Sequence, residues 1–153
     1  MFTGIIAKTY APELELLGVA AAAPATDLVK LMNEDIASVG GKNITAMTWW
    51  SWQRVFDAKM AKVIDSRAIP AINQLAEECI EGPFDFRRRQ LTEQPLEQHF
   101  LTTKHPSDVE SWHTLLAENS PAALPPEIPA FLAQGNDDVI IHPRRDLGLR
   151  RAM

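Results

Sequence analysis

Apolar residues at Trp49, Trp52, Phe56, Met60 and Val63 step by three and four positions, the repeat of one helix face, and predict a helix from about Ala46 to Ser66. Pro70 lacks an amide proton and disfavours a helical conformation at Ile69, so a break is expected between Ser66 and Pro70. A second helical stretch then runs through Ile72, Leu75, Ala76, Cys79 and Ile80 to a stop at Gly82-Pro83. Upstream, Leu28, Leu31, Met32 and Ile36 predict a helix over Asp27–Ser38, with Thr26 as its N-cap and Gly40-Gly41 as its end. Pro12 suits a first helical turn, which places a short helix over Pro12–Ala22 before Pro24. The stretch Phe2–Thr9 ahead of it suits a short strand or an extended arm.

The second half is more broken. Pro95 to about Thr102 allows two helical turns, and Ser107–Glu110, SDVE, has the spacing of a capping box ahead of a helix that buries Trp112, Leu115 and Leu116. Prolines at 121, 125, 126 and 129 stiffen the linker that follows, with a short helix expected over Glu127–Gln134 and closed by Gly135. Val139–His142, VIIH, is the candidate strand, with the early Gly4-Ile5-Ile6 as its partner. Together these elements predict a mainly α fold: a compact helical domain of about five to six helices over residues 1–141, a short ribbon joining its ends, and a basic C-terminal tail over 142–153.

A chain of 153 residues can bury one real core, and 46% hydrophobic with 23% charged residues is globular usage rather than disordered or membrane-like usage. Nothing approaches an uninterrupted membrane span. The N-terminal stretch lacks a basic region ahead of its apolar run, and Glu13 and Glu15 interrupt it, so secretion through a cleaved signal is not expected. Cys79 is the sole cysteine, which excludes an intrachain disulfide and suits a reducing compartment. A cytoplasmic site, or one inside a phage particle, is the expectation. Net charge of −5 argues against sequence-independent binding to a phosphate backbone.

The charge is unevenly spread. Arg87, Arg88 and Arg89 are consecutive, and HPRRDLGLRRAM carries Arg144, Arg145, Arg150 and Arg151 against one aspartate. The triple is expected either to cap the preceding helix and pair with Glu77, Glu78 and Glu81, or to hold a partner's acidic surface or a nucleic-acid phosphate. The tail is of a kind that orders on another surface. Within TAMTWWSWQR, Trp49 and Trp52 belong to the core face. Trp50 lies roughly 115° away from it, on the side of Arg54, Asp57 and Ala61. A neighbouring segment covers Trp50, or Trp50 and Arg54 anchor another protein chain as residues enriched at interface hot spots; stacking of Trp50 on a nucleobase is the third reading, which the acidic balance works against.

Catalytic patterns are weak. SVGGKNIT lacks the first glycine and the Ser/Thr of a phosphate-binding loop. His99, His105, His113 and His142 have no zinc-ligand spacing, Cys79 sits among carboxylates that disfavour a thiolate and is expected to be buried, and no spacing singles out a pair of acids. No cofactor or metal is therefore expected. The sequence favours a non-enzymatic assembly or adaptor protein, bacterial or phage-like, working with a protein partner or as a homo-oligomer through Trp50, Arg54, Arg87, Arg88, Arg89, Arg144, Arg145, Arg150 and Arg151. A small inhibitory protein that fills a partner's basic groove, and a small enzyme or metal-binding protein using converging histidines and carboxylates, stay open as alternatives.

Overall fold

The computed structural model describes residues 1–79, 83–138 and 141. Among these residues the chain forms six α-helices and one pair of strands, in the order α1 (Phe2–Tyr10), β1 (Val19–Ala22), α2 (Leu28–Asp35), α3 (Val39–Val55), α4 (Ile69–Glu77), α5 (Pro83–Gln98), α6 (Glu110–Glu118) and β2 (Ala130–Ala133). The fold is mainly α, as expected. The chain divides into two compact units, one made of Met1–Leu31 with Leu116–Met153 and the other of Met32–Leu115.

In the first unit β1 and β2 pair in parallel, Val19 opposite Ala130 through Ala22 opposite Ala133. Hydrogen bonds from Val19 N to Pro129 O at 2.9 Å and from Ala23 N to Ala133 O at 2.8 Å extend the pairing by one residue at each end. This corrects three expectations. Phe2–Thr9 is helical, not a strand or arm, and so cannot supply a ribbon strand; Pro12–Ala22, the expected short helix, is a turn followed by β1 itself; and Ala130–Ala133, inside the expected 127–134 helix, is β2. The alanines of β1 have high helix propensity, and the pairing with β2 overrides it. Of the expected strand, Val139, Ile140 and His142 lie outside the described residues. Gly4 is the buried residue of α1 and lies against Val19 and Leu124.

The second unit is built on α3, α4 and α5. Ser38 starts α3, its hydroxyl accepting from Gly41 N at 2.9 Å, so Gly40 and Gly41 open a helix instead of ending one. α3 then stops at Val55, well before the expected Ser66, because Asp57 adopts the left-handed conformation at φ 51°. Met60 and Val63 are buried all the same, carried into the core by the loop and a 3-10 turn, whereas Phe56 is 45% exposed. The expected break before Pro70 is present: a 3-10 turn over Ser66–Ala68 precedes α4, and Pro70 sits in the first turn of α4.

Trp49 and Trp112, both fully buried, form the aromatic centre of this unit, their rings 5.8 Å apart and edge-to-face. Phe100 packs on Trp49 at 5.5 Å, and half-buried Trp52 stacks on Trp112 at 6.3 Å. Pro83 begins α5 where a stop was expected, and Pro95 lies inside that helix, not at the start of a new one. The expected capping box does not start α6, which begins at Glu110; the Ser107 hydroxyl donates to Asn33 Oδ1 at 2.7 Å instead. α2 starts at Leu28, with Asp27 Oδ1 accepting from Lys30 N at 2.9 Å, and it ends at Asp35, short of the expected Ser38.

Candidate interaction site

α5, PFDFRRRQLTEQPLEQ, has two faces of unusual character. Arg89, Thr92, Glu93 and Leu96 point inward and are all buried. Phe84 and Leu91 point outward, 88% and 63% exposed. At 100° per residue Leu91 and Pro95 each fall within roughly 20° of Phe84, and Arg87 and Arg88 flank that line on either side. The helix thus buries an arginine and a glutamate and shows water a phenylalanine and a leucine, the reverse of an ordinary surface helix.

The inward charges are held by a clasp between three helices. Arg89 donates to Leu75 O at 2.8 Å, to Glu78 O and to Asn43 Oδ1 at 3.1 Å. These bonds satisfy carbonyls at the end of α4 that have no partner within their own helix. Asn43 Nδ2 in turn donates to Glu93 Oε2, and Thr92 Oγ1 donates to Glu78 Oε1 at 3.0 Å. Glu93 Oε1 is buried without a hydrogen-bond partner. Burial pushes the Glu93 carboxyl up to about 7, with Glu97 adding to the rise, while Lys42, Asn43 and Arg89 work against it. A carboxyl near 7 has the acidity of a general acid or base, but at 2% exposure it meets helices rather than solvent.

The outward stripe is open. Arg88 forms a 3.4 Å ion pair with Asp85 one turn away, and Arg87 is exposed. Beside it a shallow groove of about 380 Å³ runs between α4 and α5, lined by Pro70, Ala71, Gln74, Leu91, Thr92 and Pro95. The arginine triple is therefore divided by the helix: Arg89 caps α4 from within, and Arg87 and Arg88 stay on the surface.

Trp50 and Arg54 come together as their spacing predicts. The Arg54 guanidinium carbon sits 3.7 Å from the Trp50 ring centroid, and Arg54 Nη1 donates to Trp50 O at 2.9 Å. Trp50 is half-buried, and its indole N–H is enclosed without a partner. Asp57 and Ala61 do not extend this helix surface, because α3 has ended.

Other candidates lie apart. Cys79 is exposed, not buried, because α4 ends at Glu77 and leaves it beyond the helix. Among the described residues no three His, Cys, Asp or Glu side chains converge as metal ligands. His113 Nδ1 lies 3.1 Å from Ser107 O, and His99 Nε2 lies 3.4 Å from Arg67 Nη1. The hydrogen bond from Arg67 holds the Asp65 carboxyl down at about 2. Arg144, Arg145, Arg150, Arg151 and His142 lie outside the described residues.

Phe84, Leu91 and Glu93 are site residues that the linear pattern did not single out. The signal was Pro83: taken as the first residue of a helix rather than as a stop, it puts residues 84, 88, 91 and 95 on one line. No protein-family model matches the chain, and no curated protein or solved structure proved similar to it.

Proposed function

We propose that this chain is a contact-making subunit of a larger protein assembly, and that the outward stripe of α5 is where it seats a partner. One observation carries this reading: α5 places Arg89 and Glu93 inside while leaving Phe84 and Leu91 in water. Large apolar side chains on a solvent face lose free energy only when another surface covers them, at roughly 25 cal/mol per Å² removed from water.

The stripe also defines its partner. Phe84 and Leu91 fit an apolar seat, and Arg87 and Arg88 on its flanks call for carboxylates at the rim of that seat. The arginines set approach and orientation, so salt slows association, while the apolar pair governs release. The Trp50–Arg54 pair on α3 is a second contact of the residue types enriched at hot spots.

The test is to purify the tagged full chain from its own cells and weigh the resulting particle by light scattering. A partner at fixed ratio is expected, lost on Phe84→Ser with Leu91→Ser while the circular dichroism melt holds, and weakened by salt more than tenfold less in Arg87→Gln with Arg88→Gln. Recovery of a bare monomer, or a particle that survives the double serine variant, would overturn the reading.

A further inference from the structure

The first unit exposes an apolar surface of its own. At 100° per residue Ile6, Tyr10, Thr3 and Ala7 fall within an arc of about 100° on α1, and Gly4, the residue of α1 that packs inward, lies outside that arc. After α1 the chain bends, Leu14 N donating to Ala11 O at 3.0 Å. Leu14 and Leu16 thereby join Thr3, Ile6, Ala7 and Tyr10 around a groove of about 500 Å³ that is almost wholly apolar. Among the described residues that line it Glu15 is the one charged group, and Glu13 close by is exposed.

We infer that this surface seats a second copy of the chain: two α1 helices pair antiparallel about a twofold axis, with Tyr10 of each in the groove of the other and Glu13 and Glu15 of each beside the first turn of the other's α1. Three observations support this. The first is area. Phe2, Ile6, Tyr10, Leu14 and Leu16 are 45%, 47%, 83%, 70% and 37% exposed, and at roughly 200 Å² for a fully exposed large side chain they leave about 550 Å² of apolar surface in water. The largest apolar patch of a typical monomer covers about 300–600 Å², and apolar atoms make up about 60% of an ordinary interface. A patch of this size is thus the apolar share of about 900 Å² per partner, the extent of a stable pair.

The second is shape. The recess and the projection that fills it belong to one surface: Thr3, Ala7 and Ala11 are small and leave the groove between larger residues, and Tyr10 is the most exposed of the large residues that line it. A twofold interface requires this self-complementarity, because each knob meets the hole of an identical surface.

The third is charge. α1 has no acidic residue in its first turn, and Met1 at its N-cap makes no side-chain hydrogen bond to it, so nothing in the helix answers its positive end. Glu13 and Glu15 follow the opposite end of α1. Antiparallel pairing carries each pair of carboxylates to the first turn of the other helix, whereas parallel pairing would gather four carboxylates in one place. The same carboxylates repel an anionic lipid surface, the other common taker of an apolar helix face, which calls for lysines and arginines at its border.

The groove lies in the other unit from α5 and shares no residue with its stripe, so failure of one reading leaves the other standing. The test takes the purified full chain by itself, without any partner of α5. Sedimentation across the micromolar range should show a monomer–dimer equilibrium. Tyr10→Asp should weaken it at least tenfold, and Glu13→Arg with Glu15→Arg several-fold, with far-UV circular dichroism unchanged in both. A benzophenone amino acid at Tyr10, in light and isotopically heavy protein mixed equally and irradiated, should cross-link to Thr3, Ile6, Ala7, Leu14 or Leu16, and about half of the products should join light to heavy. A monomer at every concentration, a dimer indifferent to Tyr10→Asp or to the charge reversal, cross-links elsewhere, or products confined to single chains would overturn the inference.

Discussion

Arg89 of α5 donates a 2.8 Å hydrogen bond to the backbone oxygen of Leu75, in the last turn of α4. α4 has no basic residue of its own in that turn, so a side chain from another helix supplies the positive end that its carbonyls need. Arg89→Met should cost about 3 kcal/mol, because Leu75 and Glu78 lose a donor while Glu93 stays buried nearby. Arg89→Lys should recover only part, since an ammonium cannot reach both carbonyls and Asn43 in the fork that the guanidinium makes. Urea unfolding of the three proteins decides this, and equal midpoints would remove the clasp from the stability account.

Glu93 should make stability fall as pH rises. Its folded value, about 7, lies above its ordinary 4.5, so between those values the native chain holds a proton that the unfolded chain has released. The stabilisation is therefore complete below about pH 4.5, declines through the interval and is gone above about 7. The full loss is roughly 3 kcal/mol at 1.36 kcal/mol per unit. Glu93→Gln should flatten that interval and be the more stable protein at pH 8. Parallel stability–pH curves for the two would contradict it.

Trp49 and Trp50 are neighbours in sequence with opposite expected costs. Trp49 is wholly buried between Phe100 and Trp112, and Trp49→Ala should cost about 3–5 kcal/mol. Trp50→Phe deletes an enclosed N–H that has no partner, and should be neutral or stabilising by up to about 1 kcal/mol. Thermal melts followed by far-UV circular dichroism separate the two, and similar losses would refute the assignment of faces.

Gly4→Ala sets helix propensity against packing. Alanine favours a helix by about 1 kcal/mol, but its Cβ would fall 2.6 Å from Val19 Cγ2 and 2.7 Å from Leu124 Cδ2. Leu124 can swing away more easily than branched Val19, and overpacking of this kind costs about 1–3 kcal/mol. A net loss of about 1 kcal/mol is expected. Leu124→Ala in the same chain should relieve part of it, and a more stable Gly4→Ala would show that α1 shifts at no cost.

The helical class was legible because the cores of α3 and α4 carry their own repeats: Trp49 and Trp52, then Ile72 and Leu75. Boundaries were not. The apolar repeat runs unbroken from Trp49 to Val63, because a loop that returns to the core keeps buried residues after its helix has ended; only the left-handed backbone of Asp57 marks the stop. Gly40-Gly41 carried the chemistry of a helix end, and Ser38 just before them turned that into a beginning. The strands were hidden for a different reason: alanine-rich β1 has no alternation to betray it, and its partner is remote in sequence. The candidate site was half legible. Arg54 over Trp50 follows from a spacing of four, whereas the split of Arg87 and Arg88 from Arg89 needs the true start of α5 at Pro83.

The parallel pairing of Val19–Ala22 with Ala130–Ala133 imposes an order on biosynthesis. Residues 32–115 are continuous, so that unit can close as soon as it has left the ribosome. Residues 19–22 emerge first and find their hydrogen-bonding mate only after nearly all the intervening chain has been made. During that interval α1 and the leucines that follow it, Leu14, Leu16 and Leu17, are in the company of chaperones and neighbouring nascent chains, and slower translation between β1 and β2 prolongs the exposure.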